Sequence, residues 1–81
     1  MRVVLVTRAG CHLCDQALRL LQELQIQPDV VDVDADDELF RLYDWRVPVI
    51  LVEGRVVLEG NITRESLQAA LKRSGGGAEP V

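Results

Sequence analysis

The chain has 81 residues, of which 48% are hydrophobic and 27% charged, and its net charge is −4. This length suits one small domain with a packed core. The negative charge argues against nucleic-acid binding, and no apolar run approaches the ~20 residues of a membrane span. The N-terminus lacks the build of a signal peptide, so we expect a cytoplasmic protein.

The first elements are predicted from hydrophobic patterning. Residues 2–7 form a short β-branched run, typical of a buried strand. Gly10 permits an unusual backbone turn before Cys11. From Cys11 to about Gln25 the spacing of apolar residues is helical. The core-facing side of this helix consists of Cys14, Ala17, Leu18, Leu21 and Leu24.

The remaining elements follow from caps, turns and breakers. We predict strands at Val30–Val33, Val49–Val52 and Arg55–Glu59, and helices at 37–44 and 64–73. A glycine at Gly54 suits a hairpin turn between the last two strands, and Thr63 suits the N-cap of the last helix. The order β-α-β-α-β-β-α predicts an α/β domain over residues 1–73, with a mixed four-stranded sheet and helices on both faces. Residues 74–81 are expected to form a disordered tail.

The acidic residues are unevenly distributed. Seven of the thirteen acids lie between positions 29 and 44, and Arg41 is the only basic residue among them. These seven are Asp29, Asp32, Asp34, Asp36, Asp37, Glu38 and Asp44. We interpret them as a solvated acidic face.

The only two cysteines occur together, in Cys11-His12-Leu13-Cys14, at a predicted strand-to-helix junction. A pair at this spacing and place indicates a dithiol redox site. The first turn of a helix has unpaired N–H groups and the positive end of the helix dipole, so a thiolate there has a pKa below the free value of about 8.5. Cys14, one turn on, is placed to attack a mixed disulfide formed by Cys11.

Residues 2–73 resemble the glutaredoxin-like branch of the thioredoxin superfamily. Three features carry the resemblance: Cys11-x-x-Cys14 after the first strand, Val47-Pro48 before the third strand, and a hairpin followed by Gly60 and a final helix. Val47-Pro48 looks like the cis-proline of that family. The His-Leu pair between the cysteines is similar to a little-characterised glutaredoxin-like group.

The resemblance implies a thioredoxin-like fold and a thiol–disulfide oxidoreductase with Cys11 and Cys14 as catalytic residues. It implies no cofactor, with glutathione as a candidate co-substrate. The expected partners are a disulfide-containing protein or glutathione and a reductase system, and we expect a monomer that binds neither nucleic acid nor membrane. The substrate-binding residues implied are Arg8, His12, Arg46, Val47, Pro48, Gly60 and Asn61.

Several of these residues also have plainer interpretations. Arg8 and Arg46 form either a positive patch that favours the thiolate and a substrate carboxylate, or two solvated side chains. His12 either stabilises the thiolate as an imidazolium or is an exposed spacer. Tyr43 and Trp45 are expected to pack in the core or at its rim, the alternative being a substrate-facing aromatic pair.

Two departures from the glutaredoxin pattern predict weaker glutathione binding. Asn61 stands where the family has a second glycine, and Arg64 stands near where the family has an acid that faces the free amine of glutathione. A cation at that place repels the amine by roughly 1 kcal/mol if partly exposed, which is close to a tenfold loss of affinity.

Two other function classes remain open from the residues. Cys11, His12 and Cys14 are three possible metal ligands, whereas a structural zinc site usually takes four. An acid would have to complete that set, or two chains would have to share an iron–sulfur cluster. The second class is a redox-silent binding module on the same scaffold. Visible absorbance distinguishes a cluster from a dithiol, and an insulin-reduction assay distinguishes an enzyme from a silent module.

Overall fold

A computed structural model of the chain describes residues 2–74. Its strands are β1 (Val3–Thr7), β2 (Asp29–Asp32), β3 (Val49–Val52) and β4 (Arg55–Glu59). Its helices are α1 (His12–Glu23), α2 (Asp37–Tyr43) and α3 (Arg64–Ser74). Within the described range, no helix combines the length and apolar character that crossing a membrane requires.

The strands form one mixed sheet in the order β2-β1-β3-β4. The central strand β1 runs parallel to β2 and antiparallel to β3, and β3 and β4 form an antiparallel hairpin. The predicted α/β class, the element order and the mixed four-stranded sheet are therefore confirmed.

Successive side chains of β1 and β3 point to opposite sides of the sheet, and because they are apolar in both directions the sheet has two apolar faces. On one face, Leu5 pairs with Ile50 beneath α1 and α3, and Leu21 of α1 and Leu67 of α3 are fully buried against them. On the other face, Val6 pairs with Val49 beside a cluster that includes Leu39 and Tyr43 of α2. Helices cover both faces, as predicted.

The acidic stretch is solvated, and some of its side chains also cap helix starts. Val33 leaves β2 and enters a one-turn 3₁₀ helix, Val33–Ala35, in which the Asp32 carboxylate accepts from the Asp34 N–H at 2.9 Å. The Asp36 carboxylate caps α2 by accepting from the N–H groups of Glu38 and Leu39. Six of the seven acids are exposed and Asp44 is partly exposed, so the interpretation as a solvated face is confirmed, with capping of helix starts as a second role.

The last third of the chain follows its predicted turns and caps. Glu53 and Gly54 have φ of 52° and 81°, the two positive values of a tight hairpin turn. The Thr63 hydroxyl accepts from the Ser66 N–H at 3.1 Å and caps α3. Ser74 belongs to α3 rather than to the tail, and the rest of the predicted tail, 75–81, lies outside the described residues.

Candidate active site

The turn between β1 and α1 brings the two cysteines together. Gly10 adopts φ of 77°, and the Cys11 N–H donates to the Arg8 carbonyl at 3.1 Å. Cys11 is thereby the N-cap of α1, and its Sγ accepts from the Cys14 N–H at 3.1 Å. The two cysteines form a disulfide with a Cα–Cα distance of 5.2 Å. This pair, at the first turn of a helix, fits thiol redox chemistry.

The two sulfurs differ in their access to solvent. Cys11 is partly exposed, whereas Cys14 has 2% of its surface exposed and belongs to the core-facing side of α1. The predicted core-facing position of Cys14 is confirmed, and Cys11 is the more exposed of the two cysteines. Its greater acidity stays a prediction, supported by the Cys14 N–H aimed at its sulfur and by the positive end of the helix dipole.

The two residues between the cysteines both face solvent. His12 is the first residue of α1 and is exposed, and Leu13 has 38% of its surface exposed. An exposed imidazole beside Cys11 is compatible with either interpretation of His12, so its role in stabilising the thiolate stays a prediction.

Arg8 is held by two carboxylates rather than presented to solvent. Its Nε and Nη2 donate to both oxygens of Asp34 at 2.9 and 3.0 Å. Nη2 also donates to Asp44 Oδ1 at 2.6 Å, and Nη1 donates to the Asp44 carbonyl at 3.1 Å. Four of the five N–H groups of this guanidinium are engaged. Arg8 therefore ties the loop before Cys11 to the segments that follow β2 and α2.

Arg46 is engaged in a similar way. Its Nε and Nη2 donate to the two oxygens of Glu59 at 2.8 and 3.0 Å, and Nη1 donates to the Leu42 carbonyl at 3.2 Å. The guanidinium lies over the Tyr43 ring, 5.1 Å from its centroid. Arg46 thus joins the end of α2 to the end of β4.

The expectation of a positive patch made of free cations is therefore wrong. The two arginines meet three carboxylates, so this set of groups carries a net charge of −1 at neutral pH. Hydrogen bonds from Arg8 hold the pKa of Asp34 below its usual range, and those from Arg46 do the same for the pKa of Glu59. Any role of the two arginines in substrate binding stays a prediction.

The loop before β3 reaches the same end of the sheet as the disulfide. The Val47–Pro48 peptide is cis, and Pro48 is fully buried. Because Val49 pairs with Val6, Pro48 continues that register beside Thr7, where the loop to Cys11 begins. The Pro48 carbonyl accepts from the Gly60 N–H at 2.9 Å.

The predicted substrate-binding segments are thus brought together in part. Gly60 lies beside Pro48, and Asn61 follows it with an exposed side chain. The β1–α1 loop, the loop before β3 and the end of β4 all lie at one end of the sheet. The roles of these residues toward a substrate remain predictions.

Arg64 is not a free cation. Its guanidinium pairs with Glu23 in the last turn of α1. The start of that helix, with Cys11, lies roughly 16 Å away at 1.5 Å per residue. The effect of Arg64 on glutathione binding stays a prediction, and the pairing with Glu23 reduces the repulsion expected from its charge.

The two aromatic residues near the end of α2 have different surroundings. Tyr43 is partly buried against the cluster on the α2 face of the sheet. Trp45 is 90% exposed. The expectation that both pack in the core or at its rim is wrong for Trp45.

Sequence reasoning did not single out the acids that hold the arginines. Asp34 follows β2, Arg8 follows β1, and the two strands are parallel with Thr7 opposite Asp32. Residues just after two adjacent parallel strands meet at one end of the sheet, so this spacing was a signal for the Arg8–Asp34 pair. The Asp44 and Glu59 partners required the path of the chain.

A metal site formed by the cysteines and His12 would need an acid to complete its set of ligands. Among residues 2–74, no group of three or more His, Cys, Asp or Glu side chains is placed to hold a metal ion.

The comparisons with known proteins agree with this geometry. The family model for the glutaredoxin-like domain (DUF836) matches residues 2–72. An uncharacterized protein of Mycobacterium tuberculosis is 32% identical, with 98% of this chain and 91% of the relative covered. The X-ray structure of a structural-genomics target protein from X. campestris is similar, with a TM-score of 0.80 and 34% identity over 89% of this chain and 97% of that chain.

Reduced Escherichia coli glutaredoxin is similar in fold, with a TM-score of 0.61 and 24% identity over 91% of this chain and 96% of that chain. The family match spans the whole sheet, α1, α2, most of α3 and the cysteine pair. The chain therefore belongs to the glutaredoxin-like domain (DUF836) family, and its fold is thioredoxin-like.

Proposed function

We propose that this protein is a thiol–disulfide oxidoreductase that uses Cys11 and Cys14 as a dithiol. The observation that supports this most directly is the pairing of a partly exposed Cys11 with a buried Cys14 in the first turn of α1. One sulfur is accessible to a substrate and the other is accessible only to the first. This asymmetry matches the division of labour in exchange through a mixed disulfide.

The proposed reaction proceeds in two balanced steps. The Cys11 thiolate attacks a substrate disulfide, so a mixed disulfide forms and one substrate sulfur leaves as a thiolate that takes up a proton. The Cys14 thiol loses its proton and attacks the Cys11 sulfur, which releases the second substrate thiol and forms the Cys11–Cys14 disulfide. Two electrons pass from the dithiol to the substrate.

The cycle closes when a second thiol reductant reduces the Cys11–Cys14 disulfide. Glutathione, as two thiols that leave as glutathione disulfide, or a dithiol reductase system supplies the two electrons. We propose no resident cofactor, and we propose that the protein acts as a monomer in the cytoplasm, where such reductants keep thiols reduced. In the proposed complex, the backbone at Val47 and Pro48 and the exposed Asn61 face the bound chain.

Single cysteine variants test this proposal. Incubated with insulin or another disulfide substrate, Cys14→Ser should accumulate a mixed disulfide through Cys11, whereas Cys11→Ser should form none. The parent protein should reduce insulin catalytically with dithiothreitol as the electron donor. Activity that survives in Cys11→Ser would contradict the proposed role of Cys11. A parent protein without exchange activity would contradict the proposal and favour a redox-silent module.

The rival metal chemistry has a separate readout. A protein purified without oxygen that absorbs in the visible range and loses the absorbance in Cys11→Ser would indicate a cluster instead of a dithiol. A colourless protein with two titratable thiols after reduction is the result expected here.

A further inference from the structure

Trp45 is the most exposed large apolar side chain of residues 2–74. It is the only tryptophan of the chain, and 90% of its surface is exposed. The other five large apolar side chains with marked exposure range from 38% to 51%. Tryptophan is usually highly buried in folded proteins, and where exposed it is enriched at interfaces. The exposure of Trp45 is therefore more typical of an interface than of a folded core.

Two hydrogen-bonded steps connect Trp45 with the disulfide. The Cys11 N–H donates to the Arg8 carbonyl, and the Arg8 guanidinium binds the side chain and carbonyl of Asp44, the residue before Trp45. Along the chain, Trp45 precedes the buried Pro48 by three residues. These contacts place the backbone of Trp45 at the end of the sheet that carries the Cys11 loop, and we call this region the rim of the site.

The backbone on both sides of Trp45 is held in place. The Asp44 N–H donates to the Phe40 carbonyl at 3.1 Å, and the Arg46 N–H donates to the Tyr43 carbonyl at 2.9 Å. The side chain of Arg46 is fixed by Glu59. An exposed aromatic ring on a fixed backbone loses little conformational freedom when it is covered, which is the property of an interface anchor.

The charges around this rim favour a polypeptide over a small anionic ligand. Arg8 and Arg46 are paired with Asp34, Asp44 and Glu59, so these groups carry a net charge of −1. Glutathione is a small anionic ligand with two carboxylates and one amine. Arg8 and Arg46 offer its carboxylates no unpaired cation, because both arginines are already paired with acids. A polypeptide that places an apolar side chain on the indole does not need a free cation for binding.

We infer that Trp45 is a substrate-contacting residue that binds an apolar side chain next to the disulfide of a polypeptide substrate. It would make this protein more effective on protein disulfides than on small disulfides. The inference rests on the proposed thiol–disulfide exchange and adds the class of substrate.

The test compares a protein disulfide with a small neutral one. The variants are Trp45→Ala, Trp45→Phe and a control, Val30→Ala, which removes a 51% exposed side chain from the edge strand β2. The value of kcat/KM is measured with insulin and with bis(2-hydroxyethyl) disulfide. Trp45→Ala should lower kcat/KM for insulin about fivefold to tenfold and leave the small disulfide within twofold of the parent. Trp45→Phe should recover most of the loss, and Val30→Ala should change neither value.

A fluorescence measurement gives a second readout, because Trp45 is the only tryptophan. In the Cys14→Ser protein, a mixed disulfide with an insulin chain should shift the indole emission to shorter wavelength, whereas a mixed disulfide with 2-mercaptoethanol should not. Equal loss with both substrates, no loss with either, or no emission shift would overturn the role of Trp45. A parent protein inactive on both disulfides would instead overturn the proposed function itself.

Discussion

Reduction of the Cys11–Cys14 disulfide removes one loop constraint and produces two thiols, of which the partly exposed Cys11 is the N-cap of α1. Both the lost constraint and the ionisation of Cys11 have consequences for stability. The disulfide closes a loop of four residues, since the cysteines are three apart. In the chain-entropy description, closing such a loop removes roughly 6 cal/mol/K from the unfolded chain, or about 1.9 kcal/mol at 25 °C. The oxidised protein should be the more stable form by up to this amount.

A second contribution acts in the opposite direction at high pH. In the reduced protein, a Cys11 thiolate would accept from the Cys14 N–H that lies 3.1 Å from its sulfur, at the positive end of α1. Charges at this position contribute about 0.3–1 kcal/mol. If the thiol ionises more readily in the folded protein, this gain is present above the unfolded pKa of about 8.5 and is lost as the pH falls through the folded pKa.

The difference between the oxidised and reduced proteins should therefore depend on pH. We expect a free-energy difference of about 2 kcal/mol at pH 5 and about 1–1.6 kcal/mol at pH 9. A difference of ~1 kcal/mol corresponds to roughly 20 mV in the potential of a two-electron couple, so folding would make the disulfide only slightly harder to reduce.

Urea unfolding of the oxidised protein and of the protein in excess phosphine reductant, at both pH values, measures these differences. The double variant Cys11→Ser, Cys14→Ser is the control, and its stability should not respond to the reductant. A difference that grows with pH, or a reduced form more stable than the oxidised form at pH 5, would refute the reasoning.

Three further predictions follow from the site and the core. After reduction, iodoacetamide at mildly acidic pH should alkylate Cys11 before Cys14, as followed by peptide mass spectrometry, because Cys11 is exposed and lies at the helix start; equal labelling would contradict this. Leu21→Ala should lower the free energy of unfolding by about 2–5 kcal/mol in urea, because Leu21 is fully buried, and a loss under 1 kcal/mol would show loose packing. In the parent protein Arg8 lowers the pKa of Asp34, so the stabilising contribution of this pair is lost as the carboxylate is protonated below pH 3.8. In Asp34→Asn the melting temperature should therefore fall less steeply as the pH decreases through this range. An unchanged slope of melting temperature against pH would contradict the role of this pair.

The elements of the fold were accessible from local patterns. The apolar spacing of α1, the capping hydroxyl of Thr63 and the turn at Gly54 act over a few residues, and each appears in the structure where it was predicted. The cysteine pair was equally accessible, because its geometry follows from its place in the first turn of one helix. The ends of several elements moved by one or two residues, and a 3₁₀ turn that was not predicted follows β2 at Val33–Ala35.

The charged groups around the site were predicted less well. The partners of Arg8 are 26 and 36 residues away along the chain, and the expected free positive patch is a neutralised network. Arg64 was placed near a bound ligand by the family resemblance, whereas in the structure it begins α3 and pairs with Glu23 in the last turn of α1. The partner of a long flexible cation is decided by which acids the fold brings within reach.

What the sequence by itself determined is the set of elements, their order and a dithiol at the start of α1, because periodicity, caps and turns depend on near neighbours. Only the tertiary structure decided that Arg8 pairs with Asp34 and Asp44 and that Trp45 has no cover among residues 2–74. These properties depend on contacts between segments distant in the chain, and an apolar residue has the same local pattern whether another segment covers it or leaves it to solvent.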